Sequence, residues 1–298
     1  MYHTSLLIQE LEKGSNMNSK IEFLRKNKKF TLLLICILVL IIISIIAPII
    51  APYDPYQMSL KEGQLPPSIA HLMGTDIYGR DVFSRVLYGS RISISITIGL
   101  VLTIFITGMI IGVISGYYGG IIDSILMRIS DIMLSFPDLI LALAIAGILG
   151  SGVWNAFIAI VVVSWTKYAR LARSLTLKIK NKEYISAART TGCKNRRILL
   201  AYILPNVVPN MLVTATMDIG TVMLSFASLS FLGFGIPIDI PEWGSMLNEG
   251  RAYMDRAPWL ILFPGLAIFM TISIFNLFGD TIREILDSKS NNKTKTLN

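Results

Sequence analysis

The chain has 298 residues, 53% of them hydrophobic and only 15% charged, and its mean hydropathy is +0.62. Soluble domains carry about a quarter charged residues, so a chain this apolar, with its apolar residues in long uninterrupted runs, is built for a bilayer. The formal net charge of +8 calls for no nucleic-acid partner, because membrane proteins collect Lys and Arg in their cytoplasmic loops.

Residues 1–29 form a polar, basic segment ending in Arg25-Lys26-Asn27-Lys28-Lys29. The 21 residues from Phe30 to Ile50 carry no charge and, as a helix, reach about 30 Å, the thickness of the hydrocarbon core. A cleaved signal would have a shorter apolar stretch and a small-residue cleavage site, so a retained membrane helix is predicted over 30–52. Ala51-Pro52-Tyr53-Asp54-Pro55 stops it, since a proline disfavours helix at the residue before it.

Residues 53–90 read as an extracytoplasmic polar segment, and residues 91–280 as the membrane core. The uncharged run Ile92–Ile122 supplies a second span. In it Gly108, Gly112, Gly116 and Gly120 recur every four residues, a small-residue stripe along which another helix could approach if the helix continues that far. Gly119 beside Gly120 fits a loop equally well for the last two glycines. A third helix is expected from about Asp123 to Leu149, with a turn at Gly150-Ser151-Gly152. A fourth begins near Trp154 and continues past Trp165 as an amphipathic extension bearing Lys167, Arg170 and Arg173. A basic segment, about 180–204, leads to a fifth span over Val207–Ser230. The sixth covers Ala257–Gly279, and residues 281–298 form a polar tail. The expectation is an all-α membrane protein with six transmembrane helices.

Charge sets the orientation. With the N-terminus inside, segments 1–29, 167–205 and 281–298 hold 20 basic residues, against six in the outer segments 53–91 and 231–257. Both termini are therefore predicted to be cytoplasmic. Cys36 lies in an apolar run and Cys193 in a basic loop, which implies no disulfide framework. With only His3 and His71 present, no imidazole-built metal site is expected.

The most informative stretch lies in the longest cytoplasmic loop: Glu183-Tyr184-Ile185-Ser186-Ala187-Ala188-Arg189-Thr190-Thr191-Gly192, then Ile203-Leu204-Pro205-Asn206. It reads as a short helix that Gly192 can end in the left-handed conformation, with two adjacent alanines offering a shallow face to a partner. Pro205 would open the next helix within its first turn. A basic loop resting on anionic lipid headgroups is the plainer alternative for Lys180, Lys182, Lys194, Arg196 and Arg197.

On Ala187, Ala188, Gly192, Leu204 and Pro205 this segment resembles the cytoplasmic loop of ATP-binding-cassette (ABC) importer permeases, in which a coupling helix sits in a groove of the ATPase subunit. Ser186 stands where that family's eponymous glutamate would be. Further stretches resemble the second permease of the peptide/nickel branch: Ala51 to Pro55, Gly74-Thr75-Asp76-Ile77-Tyr78-Gly79-Arg80-Asp81-Val82-Phe83-Ser84-Arg85, Leu232-Gly233-Phe234-Gly235, Pro241-Glu242-Trp243-Gly244 and Asn276-Leu277-Phe278-Gly279-Asp280. The resemblance runs from about residue 30 to residue 287. It implies a type I ABC importer permease fold in the cell membrane, a homologous second permease, two ATPase subunits that use ATP and Mg, and an extracytoplasmic substrate-binding protein. It implies no cofactor on this chain. Coupling would fall to Glu183, Ser186, Ala187, Ala188, Gly192, Leu204 and Pro205. Asp76, Arg80, Asp81 and Arg85 are expected to be structural.

Charges inside the membrane are functional candidates. Arg128 and Asp131, three apart on one helix, can pair with each other, and Asp138 after Pro137 can mark a helix start. Asp218 has no basic residue within a helical turn, so it either bonds to a neighbouring helix or faces the translocation path. Asp218-Ile219-Gly220 resembles a run in nickel-importer permeases, and Phe226 stands where many peptide permeases carry glutamate. Both are assigned to the path, with nickel or a metal chelate as expected cargo and di- or oligopeptides as the alternative. No phosphate-binding G-x-x-x-x-G-K-[ST] loop, H-E-x-x-H or G-x-S-x-G occurs, so neither ATP hydrolysis nor another catalytic activity is expected of this chain. A secondary transporter or channel is the distant rival. It would show internal repeats, and none is evident.

Overall fold

The computed structural model describes residues 27–295, with side chains through residue 285. Expectations for residues 1–26, including His3, and for the end of the polar tail lie outside the described residues. Every named element is helical, apart from one isolated antiparallel bridge between Thr75 and Asp81. α1 (Lys28–Ile50) leads into an irregular segment with a 3-10 turn at Leu60–Glu62. Then come α2 (Val82–Tyr118), α3 (Gly120–Leu134), α4 (Asp138–Leu149), α5 (Val153–Lys180) and the short α6 (Glu183–Thr190). α7 (Asn195–Phe231), α8 (Trp243–Gly250) and α9 (Trp259–Lys295) complete the described chain.

Among the described residues four helices are long and apolar enough to cross a bilayer: α1, α2, α7 and the Trp259–Ile285 part of α9. α3 and α4 reach that standard only together, and they meet at 94°. The unbroken helix expected over Asp123–Leu149 is thus two helices. Pro137 has no N–H to donate and pushes Phe136 out of the helical region. α5 is 28 residues long, but the basic residues of its second half keep it below the same standard of apolarity. α2 begins ten residues before the uncharged run because Asp81 caps it, accepting from the Ser84 N–H at 2.8 Å and the Ser84 hydroxyl at 2.7 Å.

The central contact is between α2 and α5. A methyl added to Gly108 would lie 2.7 Å from the Trp165 carbonyl oxygen, one on Gly112 2.6 Å from Ala172 Cβ, and one on Gly116 2.9 Å from Thr176 Cβ. In a bilayer, helices gain little from excluding lipid and associate through close packing. Three glycines against Ala169, Ala172 and Thr176 give that closeness. Gly120 falls outside the seam: it follows the end of α2 with φ +57° and open space around it. α7 packs behind this pair, burying Val207, Met211, Ala215, Phe226 and Leu229 in the shared core. α9 lies along α7, with Gly279 against Met217. α1 is outermost, burying only Leu33, Ile37, Ser44 and Ala47 against α9 and α2.

The end of the bundle predicted to face outward, called the outer end below, is closed by a buried ion cluster. Arg80 donates Nε to Asp76 and Nη2 to Glu249 of α8, each at 2.5 Å. Arg85 lies 3.7 Å from Asp76 and 3.6 Å from Glu249 and donates to the Pro55 and Ile238 carbonyls. Asp81 pairs with His71 at 2.9 Å. Both arginines are 1% exposed, so the group expected to be structural is sealed from solvent. Burial pushes the Glu249 carboxyl upward, and the two arginines oppose that shift. Glu242 caps α8 through the N–H groups of Gly244 and Ser245. Its carboxyl is also raised by burial, against these bonds and that from Ser93.

Two outcomes test these contacts. Gly112→Val should overpack the α2–α5 seam and destabilise the detergent-purified protein by about 1–3 kcal/mol, read as a lower melting temperature, whereas Gly99→Ala, whose added methyl would meet only Phe157 at 3.6 Å, should change it far less. Arg80→Met should leave Asp76 and Glu249 buried beside one remaining arginine. Breaking such a buried pair costs about 3–5 kcal/mol, so the inserted protein should lose resistance to protease added from outside.

Candidate coupling site

At the other end of the bundle, α5 leaves the core and the chain turns through α6 into α7. Ile185 is fully buried and Ala188 nearly so, while Glu183, Tyr184, Ser186, Ala187, Arg189 and Thr190 are exposed. Only one of the two alanines is therefore open to a partner. Ala188 faces inward because the apolar positions Ile185 and Ala188 are three apart, on one face of the helix; α6 packs against the Ile198–Ile203 stretch, and Ile185 shares a buried cluster with Ile198 and Ile203. The helix ends in a Schellman arrangement, with the Cys193 N–H donating to Ala188 O and the Gly192 N–H to Arg189 O, both at 3.0 Å. Gly192 stands at φ +81° with nothing within 4 Å of a Cβ position.

Pro205 stands in the first turn of the α-helical run Leu204–Phe231, as expected, but that run continues a helix begun earlier. α7 already runs from Asn195, with a π-helical stretch over Ile198–Ile203 just before Leu204 and Pro205. A wider turn there suits a proline that cannot donate to the carbonyl four residues back. Leu204 is half-buried and Pro205 exposed.

Tyr117, at the end of α2, gathers the surrounding chain, and nothing in the sequence marked it. Its hydroxyl donates to Asn195 Oδ1 at 2.7 Å, and its carbonyl accepts from Lys180 Nζ at 2.6 Å. The Lys180 ammonium and the Arg189 guanidinium stand 5.8 and 5.5 Å from its ring centroid, within cation–π reach. One aromatic side chain thus joins α2, the end of α5, α6 and the start of α7. Beside it, Arg173 holds Asp123 of α3 in a two-point contact at 2.5 and 2.6 Å. Asp131 pairs with Arg170 of α5 at 2.6 Å rather than with Arg128. Asp138 stands in the first turn of α4 without a capping bond.

Asp218 is not a lone charge. Both its oxygens accept from Lys167 Nζ of α5, at 2.7 and 2.9 Å. Sequence reading missed this partner because it lies 51 residues away, in a stretch assigned to the cytoplasm. Lys167 is 14 residues into α5 and Asp218 is 13 residues before the end of α7, each about 20 Å from the outer end of its helix at 1.5 Å per residue. Those outer ends are level, because the Gly152 N–H donates to the Phe234 carbonyl. Phe226, also assigned to the path, is 1% exposed and part of the core, so it lines no path in this conformation.

This arrangement of helices is that of a type I ABC importer permease. A methionine ABC transporter, MetNI, solved in inward-facing conformations, contains a chain that superposes with a TM-score of 0.55 over 68% of this chain and 96% of its own, at 20% identity. Residues 108–292 match the family described as binding-protein-dependent transport system inner membrane component, and residues 22–67 match the N-terminal transmembrane domain of oligopeptide transport permease C. A dipeptide transport system permease, DppC, of Alkalihalophilus pseudofirmus is 42% identical over 75% of this chain and 73% of its own. A glutathione transport system permease, GsiD, of Escherichia coli is 47% identical over 75% and 74%. The chain belongs to the binding-protein-dependent inner membrane permeases. It is a multi-pass membrane subunit of an ABC importer, not itself an enzyme, and the secondary-transporter and channel readings fall away.

A split between two kinds of variant at α6 is expected. Ala188→Glu buries a carboxylate on the inward face of α6, where an unpaired charge is costly, and should lower the amount of folded protein. Ala187→Glu changes only the exposed face. It should leave the amount and melting temperature within the wild-type range while reducing co-purification of the ATPase subunits at least fivefold. Equal co-purification for Ala187→Glu would take α6 out of the coupling contact.

Proposed function

We propose that this chain forms one half of the membrane path of an importer of short peptides, and that α6 is the surface through which an ATPase subunit drives it. The observation carrying the substrate class is the cargo printed in its relatives' names, a dipeptide and glutathione, at 42% and 47% identity over three quarters of the chain. Glutathione is itself a short peptide. Neither name includes a metal. The feature that favoured nickel or a metal chelate is also lost, because Asp218 is already paired with Lys167 and offers little to a cation. The metal expectation is withdrawn.

On this reading a homologous second permease completes the path, an external binding protein delivers the peptide, and two ATPase subunits bind ATP and Mg on the inner side. The preponderance of Lys and Arg at that end supports placing α6 and both termini in the cytoplasm. Taking Lys167 into the membrane leaves the asymmetry intact. Closure of the ATPases on ATP would displace α6. Because α6 is held through Tyr117 to α2 and through Ile185 and Ile198 to the core, the displacement passes to α2, α5 and α7 together. Leu204 and Pro205 contribute by fixing where α7 passes from its π-helical stretch into regular α-helix.

Deleting the chain from its host should abolish uptake of a labelled dipeptide or of glutathione, with recovery on re-expression, and leave nickel uptake unchanged. Lost nickel uptake with normal peptide uptake would return the metal reading. In the same cells a cysteine placed beside Glu62 or Asp239 should react with a membrane-impermeant thiol reagent, and one beside Lys194 should be protected until the membrane is opened.

A further inference from the structure

The outward faces of the long helices differ in kind. On α1 the exposed residues include Leu32, Ile35, Leu38 and Ile42, on α2 Leu102, Ile106 and Ile110, and on α9 Leu262, Leu266 and Phe269. These are faces suited to lipid. On α7 the polar residues Asn210, Thr214, Asp218, Thr221, Ser225 and Ser228 run along a face that, apart from the buried Asp218 at its edge, the chain's own core does not bury and that also exposes Leu224. Their spacing of four, four, three, four and three residues is that of one stripe along a 3.6-residue helix. The adjoining arc of α7 holds Met211, Ala215, Val222, Phe226 and Leu229, all buried. Where the structure gives these side chains a hydrogen bond other than that of Asp218, it is to the carbonyl four residues back: Asn210 to Asn206, Thr214 to Asn210, Ser225 to Thr221 and Ser228 to Leu224. None of those bonds reaches another helix, so the stripe does not serve this chain's own packing.

Level with the middle of this stripe stands the Lys167–Asp218 pair. Asp218 is nearly covered, but the Lys167 side chain is 60% exposed. An ammonium at this depth is costly against hydrocarbon, and intramembrane charges face a bundle interior or a water-filled path. Two independent features therefore point the same way: a polar stripe along a helix, and a half-exposed ammonium beside its centre. We propose that this stripe of α7, with Lys167 held by Asp218 at its midpoint, is this chain's wall of the translocation path, and that Lys167 provides a passing contact for the carboxylate of the cargo. The wall itself needs no assumption about cargo. The carboxylate contact rests on the peptide reading above.

The test uses the whole transporter in its host membrane, with Cys36→Ser and Cys193→Ser removing the native thiols. Single replacements Thr214→Cys, Thr221→Cys, Ser225→Cys and Ser228→Cys are close in size to the originals, so the subunit should insert and fold. Each should react with a small water-borne methanethiosulfonate reagent at least tenfold faster than Ile106→Cys on the lipid face, and the modification should block uptake. Stripe positions that react as slowly as Ile106→Cys would make the stripe a dry contact with another helix and overturn the proposal. A stripe that is labelled in a transporter that moves no peptide would uphold the wall and remove the peptide reading alone. For Lys167, the neutral double variant Lys167→Met with Asp218→Asn avoids leaving an unpaired charge. It should assemble normally while dipeptide uptake falls at least tenfold, and Lys167→Arg should keep most of the uptake. Wild-type uptake by the double variant would reduce the pair to a link between α5 and α7.

Discussion

The contact between α2 and α5 carries the rest of this structure. Gly108, Gly112 and Gly116 let the two backbones approach until a single added methyl would collide with Trp165 O, Ala172 or Thr176. In lipid this closeness replaces the hydrophobic driving force that a soluble core would use. It sets the depth and rotation of α5, and so decides that Lys167 meets Asp218, that Arg170 and Arg173 meet Asp131 and Asp123, and that Lys180 reaches the end of α2 beside Tyr117.

The two ends of the bundle follow different rules. At the outer end Asp76, Arg80, Arg85 and Glu249 are paired and sealed, which ties the segment before α2 to α8 in one arrangement. Buried ion networks penalise any alternative that leaves a member unpaired. At the inner end the charged residues of α6 are exposed, and that helix between α5 and α7 presents Ser186, Ala187 and Arg189 outward. A rigid outer end and an accessible inner helix suit a subunit whose driving force arrives from the cytoplasm. Tyr117 links the inner end, because Lys180 at the end of α5, Arg189 of α6 and Asn195 at the start of α7 all meet it, and moving α6 without α2 would break the Arg189 contact.

A charge inside a membrane protein has its meaning set by its partner. Asp218 alone would suit a cation, whereas Asp218 gripped by Lys167 leaves the ammonium as the exposed member of the pair. The same residue thus supports opposite expectations about cargo before and after its neighbour is known. The relatives' named cargoes, a dipeptide and glutathione, agree with the second.

The residues by themselves determined much. Long uncharged runs marked membrane helices, because a helix in lipid must be apolar over about 20 residues. The excess of Lys and Arg at one end set the predicted orientation. The glycine spacing announced a close helix contact, and the ordered motifs from Ala51 to Asp280 pointed to the permease family. Pro137 also held the break between α3 and α4, although the apolar run around it concealed the bend. Only the tertiary structure decided the rest: that Gly120 leaves the seam, that Ala188 faces inward while Ala187 does not, that Phe226 belongs to the core, and that Tyr117 and Lys167 matter at all. The physical reason is distance along the chain. Composition and periodicity report on neighbours within a few helical turns, while Lys167 and Asp218 stand 51 residues apart and Tyr117 and Asn195 stand 78 apart. Such pairs exist only once the helices have packed.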